Sequence, residues 1–333
     1  MIDKDVVLIA DKTEDFSNIN LESKNLECIP PKYFNEIYTG LDSVSKKVIH
    51  YNSPADFCNN IQKHKNDIVL SIWSGIGTKF RKALIPSICE ANQICYVGAD
   101  PYVHFLCQDK YLTKKFCSLY HLKSPKGIIY HENNDKEKIK TLALPLVVKP
   151  NFEGGSNGIS QHNLVDSYKD AIHLANRLLN LYNESILIEE YIAGKEICIS
   201  IIGDNHKIDM IDASQLIING NDFFESTLYG YEAKIMEVSN RHLQQGSKFL
   251  SPKWKQIFKK IYFDLGKVEL LRIDGRIDAQ GNFNLIELTP DAYLGKRGST
   301  TFCAKNNGII YERMLEMLLK NAYCDYIERW NLN

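Results

Sequence analysis

Short, nearly continuous apolar runs mark the first third of the chain. Val6–Ala10 and Ile68–Ile72 have the length and saturation of strands buried on both faces. Ile85–Ala91 reads as a helix, and Ile94–Val97, ending at Gly98, as a third strand. The polar, weakly patterned stretch between the first two runs takes no assignment. Together these runs predict an α/β domain to about residue 105. Beyond it, Leu112, Phe116 and Leu119 share one face of a helix over Asp109–Leu122. Leu144–Val148 is a strand, with Ile159–Gln161 as its expected hairpin partner. Ala171, Leu174, Leu178 and Leu181 make Asp166–Leu181 an amphipathic helix. Ile186–Ile188 is a strand leading into Glu189-Glu190-Tyr191-Ile192. Ile197–Ile202 and Lys207–Ile211 flank Gly203-Asp204-Asn205, a hairpin signal. Asn219–Leu250 is long and polar, as lids and binding loops are. Pro252–Leu265 and Ile309–Leu319 are helices.

Two segments carry candidate chemistry. Leu146–Ser160 reads LVVKPNFEGGSNGIS, a strand that runs into a lysine and then into Gly154, Gly155, Ser156, Asn157 and Gly158. Glycine loses more freedom on folding than other residues, so such a cluster needs a reason. A tight turn is one reading; a cradle of bare backbone N–H groups around a phosphate is the other. Lys149, Glu153 and the Ser156 hydroxyl tilt the choice toward the cradle. Neither G-x-x-x-x-G-K-[ST] nor G-x-G-x-x-G occurs in the chain.

The second segment, Leu270–Pro290, alternates polar and apolar on both sides of Gln280-Gly281. With the turn on those two residues, Asp274 stands opposite Glu287 and Arg272 opposite Thr289, on one face. Directly opposed side chains have Cβ atoms about 4.5–5.5 Å apart. Carboxylates that close repel unless a proton or cation lies between them. An all-oxygen pair favours a hard ion, magnesium above all. The competing reading is a solvated hairpin face; the phosphate-type loop upstream favours the metal.

Composition narrows the class. At 333 residues, two or three packed units are expected. Hydrophobic content of 44%, charged content of 24% and a net charge of −1 are ordinary for a globular protein and offer no attraction to nucleic acid or an anionic membrane. Asp3 and Asp5 stand where a signal peptide needs basic residues, and no apolar run approaches the ~20 residues of a membrane span. The nine cysteines include no C-x-x-C pair and read as reduced thiols, so a cytoplasmic location is expected.

From about Asp109 to Ser299 the chain resembles the ATP-grasp fold, and within it the D-alanine–D-alanine ligase family. DKYLTKK, VVKPNFEGGSNG, ILIEEYIAGKE, YEAK, and then RID with IEL follow in the family order. The resemblance implies an N-terminal α/β domain (1–105), a central ATP-grasp lobe (106–192) and a C-terminal lobe (193–333). It implies that Lys110 and Lys149 hold ATP phosphates under a loop of Glu153, Gly154, Gly155 and Ser156. By the same resemblance Glu189, Glu190, Tyr191 and Ile192 form the hinge that reads adenine, and Glu196 grips the ribose. Lys234 would reach the γ-phosphate, Arg272 steady an acyl phosphate, and Asp274 and Glu287 hold magnesium, or manganese in its place. The implied activity joins a small carboxylate to an amine or amino acid through an acyl phosphate. A homodimer is implied as well; nucleic-acid and membrane partners are not.

Departures from the family bear on the substrate. Thr289 stands where the family has a third metal ligand, an asparagine; its hydroxyl can ligate the ion or hold a water. Gly155 and Ile235 replace a serine and a tyrosine of the first-substrate pocket, Trp73 replaces a histidine, and no equivalent of the family's N-terminal glutamate stands out beyond Glu14. Trp73 and Ile235 are therefore expected to line the acid's site, with Lys296, Arg297 and Ser299 near the second substrate. The expected product is an amide other than D-alanyl-D-alanine. The alternatives are a D-alanine–D-alanine ligase with a reshaped pocket and a nucleotide-binding module without catalysis.

Overall fold

The N-terminal apolar runs assemble into a parallel sheet. The computed structural model describes residues 1–12, 29–75, 79–131, 136–155, 157–228 and 240–331. Strands β1 (Asp5–Ile9), β2 (Lys47–Tyr51), β3 (Ile68–Ser71) and β4 (Cys95–Val97) lie in the order β2-β1-β3-β4, every pairing parallel. Val6, Val7, Leu8 and Ile9 are fully buried, as a strand covered on both faces requires. The stretch that sequence pattern left open supplies helix α1 (Pro31–Asp42), β2 and helix α2 (Pro54–Asn60). Both helices carry proline in the first turn, where its missing N–H costs nothing. Helix α3 (Leu84–Asn92) precedes β4, and α4 (Pro101–Gln108) and α5 (Lys110–Ser118) follow it. The expected Asp109–Leu122 helix stops early, since His121 takes a positive φ of 56°.

Two antiparallel sheets follow. Strands β5 (Gly127–Tyr130), β6 (Leu146–Pro150), β7 (Leu164–Val165) and β8 (Ile186–Glu190) form a sheet in the order β5-β8-β6-β7. A short helix α6 (Lys136–Ile139) lies between β5 and β6, and α7 (Tyr168–Tyr182) buries Ala171, Leu174, Ala175 and Leu178 with the sheet. The hairpin partner of β6 is Leu164–Val165, not Ile159–Gln161. Ser160 caps a 3-10 turn over Gln161–Asn163, and the buried Asn163 amide donates to Val148 and Gly158 carbonyls, so pairing begins only after them.

The third sheet has the order β11-β10-β9-β12-β13. Its strands are β9 (Lys195–Gly203), β10 (Ile208–Ile218), β11 (Arg241–Gln245), β12 (Leu270–Ile277) and β13 (Phe283–Thr289). The polar stretch Asn219–Leu250 thus contains an edge strand, β11, whose side chains are mostly exposed and so carry no apolar signal. Helix α8 (Pro252–Leu265) packs on this sheet with residues of α4 and α5 in one apolar cluster. Helix α9 (Ser299–Asn306) leads to α10 (Tyr311–Arg329), which begins two residues later and runs ten further than Ile309–Leu319. Met314, Leu315 and Leu318 of α10 join Val6, Leu8 and Leu70 in a single core, so the last helix packs against the first sheet. Among the described residues no helix is long and apolar enough to cross a membrane, and no cysteine is in a disulfide.

Candidate nucleotide and metal site

Lys149 lies in β6 rather than beyond its end, and its register partner on β8 is Leu187. Glu189 is therefore the diagonal neighbour, within reach of a long side chain on the same face. The Lys149 Nζ to Glu189 Oε1 distance is 2.7 Å, and Lys114 from α5 takes the other oxygen. All three side chains are buried. Burial pushes Lys114 down to about 8, with Lys149 and Lys110 adding to the shift and Glu189 opposing it. Burial pushes Glu189 up, but Lys114 and Lys149 outweigh it and hold the carboxyl below its usual range. Two ammonium groups share one carboxylate, which leaves net positive charge held away from water. Each oxygen of the Glu189 carboxylate thus meets one lysine. Lys114 escaped the sequence reading; its one signal was its place four residues after Lys110, on the same helix face.

The glycine loop follows directly. Gly155 and Gly158 have φ of 59° and 67°, and a Cβ on Gly158 would lie 2.9 Å from Pro150 and from the Tyr182 ring. Turn chemistry therefore accounts for two of the glycines. Lys110, buried at the start of α5, donates to the Glu153 carbonyl and stands 3.9 Å from the Glu287 carboxylate. The Glu153 side chain meets Arg81 Nη2 at 2.8 Å and the Asn157 amide at 2.9 Å. Arg81, from the turn before α3, was likewise not anticipated. Ser156, Lys234, Ile235 and Glu14 lie outside the described residues.

Across from this lobe, β12 and β13 pair Arg272 with Thr289 and Asp274 with Glu287, as the alternation demanded. The turn is not the two residues Gln280-Gly281. Ile277 pairs with Phe283, and Asp278 organises the five-residue turn by accepting from the backbone N–H groups of Gln280 and Asn282. The register then shifts at Ile286, a bulge that restores the pairing sum. Arg272 grips Asp274 with Nε at 2.8 Å from Oδ1 and Nη2 at 2.6 Å from Oδ2. The Thr289 hydroxyl lies 3.5 Å from Asp274 Oδ2. Among the described residues no three His, Cys, Asp or Glu side chains gather. Two opposed carboxylates and a hydroxyl nevertheless fit magnesium, which keeps waters and takes one or two carboxylates beside phosphate oxygens. Glu196 on β9 faces Arg276 on β12 in register, and Arg276 Nε lies 2.7 Å from its carboxylate. Arg276 shares the face of Arg272 and Asp274, an alternation present in the sequence but not used.

Between the first sheet, the glycine loop and the segment after β13 lies a cavity of about 720 Å³. Trp73, Lys110, Gly155, Arg272, Glu287 and Asp291 all reach it. Lys296 and Arg297 do not: both are exposed, and the Lys296 ammonium lies 5.2 Å from the Tyr311 ring centre. Ser299 opens α9 and is also absent from the wall. Lys82, 3.0 Å from Asp291, does reach the cavity.

The family profile described as D-ala D-ala ligase C-terminus matches residues 121–320. The D-alanine–D-alanine ligase of Haemophilus influenzae is 27% identical over 270 residues, covering 78% of this chain and 85% of that one. That of Actinobacillus succinogenes is 26% identical over 260 residues, 76% and 79% of the two chains. Among solved structures, D-alanine–D-alanine ligase from Bacillus anthracis complexed with ATP superposes with a TM-score of 0.72 at 19% identity, covering 98% of this chain and 99% of that one. VanG D-Ala:D-Ser ligase from Enterococcus faecalis gives 0.68 at 18%, covering 96% and 100%. At these identities the structural likeness speaks for the fold alone.

Proposed function

Since this chain belongs to the D-alanine–D-alanine ligase family and has its ATP-grasp fold, we propose that it is an ATP-dependent ligase joining a carboxylic acid to an amine. The observation that carries this reading is the buried, net-positive cluster of Lys114, Lys149 and Glu189 beside the glycine loop. Charge left unbalanced in a buried place calls for an anion, and a polyphosphate supplies one.

In the proposed reaction a substrate carboxylate oxygen attacks the γ-phosphorus of ATP, the bond to the bridging oxygen breaks, and ADP leaves. The amine then attacks the acyl carbon of the resulting acyl phosphate. Inorganic phosphate leaves, and the amine's proton passes to solvent. Catalysis of this kind is mostly positioning and charge neutralisation. Lys110 and Lys149 are suited to orient the phosphates, and Lys110 also ties the glycine loop to β13. Arg272, between the metal face and the cavity, is placed to neutralise charge on the transferring group. Asp274, Glu287 and Thr289 would hold magnesium, which when bound screens phosphate charge.

The acid is proposed to be bulkier than D-alanine. Gly155 on the wall offers no hydroxyl to a substrate ammonium, and Asp291 is already neutralised by Lys82. Each lost charge-assisted hydrogen bond lowers affinity by roughly 1.5–3 kcal/mol. A cavity of about 720 Å³ lies in the range that accepts drug-sized ligands. A second reading, D-alanyl-D-alanine synthesis, is favoured by the names of the relatives. Incubation with ATP, Mg²⁺ and a panel of acids and amines, read by phosphate release and product mass, separates the two. Little ADP with D-alanine alone and turnover with a larger acid are expected. Efficient D-alanyl-D-alanine formation at millimolar substrate would establish the second reading instead. ATP binding without ADP from any pair would leave a binding module.

A further inference from the structure

Arg276 is not among the residues that the family resemblance singles out, yet its guanidinium is tied to three separate acceptors. Its side chain is 6% exposed, on the strand face that also carries Arg272 and Asp274. Its three nitrogens reach three different elements. Nε donates to Glu196 Oε2 at 2.7 Å, Nη1 to the Ile192 carbonyl at 2.9 Å, and Nη2 to the Thr227 carbonyl at 2.9 Å. The guanidinium carbon lies 4.8 Å from the centre of the Tyr191 ring. Only a planar, rigid fork serves acceptors spread in this way; a lysine has one nitrogen on a flexible stem.

The same contacts hold a strap. Tyr191 donates its hydroxyl to the carbonyls of Phe224 and Thr227, at 2.9 and 3.0 Å. Phe224 exchanges backbone hydrogen bonds with Gly194. At its far end, Gln161 donates to the Ser226 carbonyl and accepts from the Leu228 N–H. Residues 224–228 are thus fastened to the hinge on one side and to the segment after the glycine loop on the other. Arg276 is the residue that joins this strap to Glu196.

We infer that Arg276 is a positioning residue that sets the enzyme's preference for a nucleotide with ribose hydroxyls. It engages one oxygen of Glu196, holding the carboxylate aimed while the second oxygen accepts from the sugar. It also makes that aim depend on the strap being docked. The inference rests on the nucleotide reading proposed above and on Glu196 as the ribose acceptor.

Calorimetric titration of the full chain with ATP and with 2′,3′-dideoxy-ATP tests it, in wild type, Arg276→Met and Arg276→Lys. Hydrogen exchange over residues 224–228 without nucleotide is the second readout. Wild type is expected to bind the dideoxy nucleotide about tenfold or more weaker, the loss of a charge-assisted hydrogen bond. In Arg276→Met that preference should fall below about threefold, and exchange across the strap should quicken. Arg276→Lys keeps the buried charge, so it remains folded even where the Met variant does not, and should fall between the two on both readouts. A folded variant with wild-type preference overturns the inference and leaves the ligase reading intact. Wild type that binds both nucleotides equally removes the role of Glu196 and the inference with it. Wild type that binds no ATP overturns the proposed function as well.

Discussion

Replacing Lys149 by Met removes one of the two ammonium groups that share Glu189, taking the buried cluster from one net positive charge to none. Two effects follow, of different size. A unit charge about 4 Å from a phosphate oxygen is worth roughly 4 kcal/mol at an effective dielectric near 20. Desolvation cancels part of it, and the net loss expected for one charge-assisted hydrogen bond is about 1.5–3 kcal/mol, or roughly 10- to 150-fold in ATP affinity. The effect on folding is smaller, because Glu189 keeps Lys114. The roughly 3–5 kcal/mol cost of a buried charge stripped of its partner is thereby avoided. The Met stem refills most of the volume, so a loss of about 1–2 kcal/mol and a fall of a few degrees in Tm are expected. Calorimetric titration with ATP and Mg²⁺, beside a thermal melt followed by circular dichroism, reads both. A folded variant that binds ATP within about twofold of wild type would refute the phosphate role of Lys149.

The remaining predictions concern pH, metal and backbone. Lys114 has a folded pKa of about 8, below its unfolded value near 10.4, so between those values the unfolded chain binds more protons and stability rises with pH. The gain is at most about 3 kcal/mol, is absent below pH 8, and should vanish in Lys114→Met when denaturation midpoints are measured from pH 7 to 10. Over the same range ATP affinity should fall as Lys114 loses its charge; affinity flat to pH 9.5 would count against its place at the phosphates. Glu287→Gln keeps the shape of the side chain but removes a charge from the metal pair, and should raise the Mg²⁺ needed for ADP formation about tenfold or more. An unchanged Mg²⁺ titration would move the ion elsewhere. Gly194→Ala places a Cβ 2.4 Å from the Ile277 carbonyl oxygen, which as backbone cannot step aside. A loss of about 1–3 kcal/mol in chemical denaturation is expected, and an unshifted midpoint would show that the strand pair yields.

The sequence alone determined those features that are local to one element or one pair of strands. Alternation about a turn places Arg272, Asp274, Glu287 and Thr289 on one face, whatever packs above it. It did so even though the turn has five residues rather than two and the register beside it differs by one, because the Ile286 bulge shifts the register back before Glu287 is reached. The run of Lys149 into the glycine cluster is local in the same way, and turn geometry accounts for Gly155 and Gly158. Tertiary structure decided which charges face inward. Lys114 and Lys296 both look like solvated lysines along the chain. One is buried against Glu189 because α5 docks on the lobe that carries β8, and the other lies out over Tyr311. Arg81 and Lys82 reach the glycine loop and Asp291 only because elements far apart along the chain pack together. A side chain's face follows from the period of its own element, but its partner follows from how separate elements pack, and that depends on cores shared by residues as far apart as Val6 and Leu318.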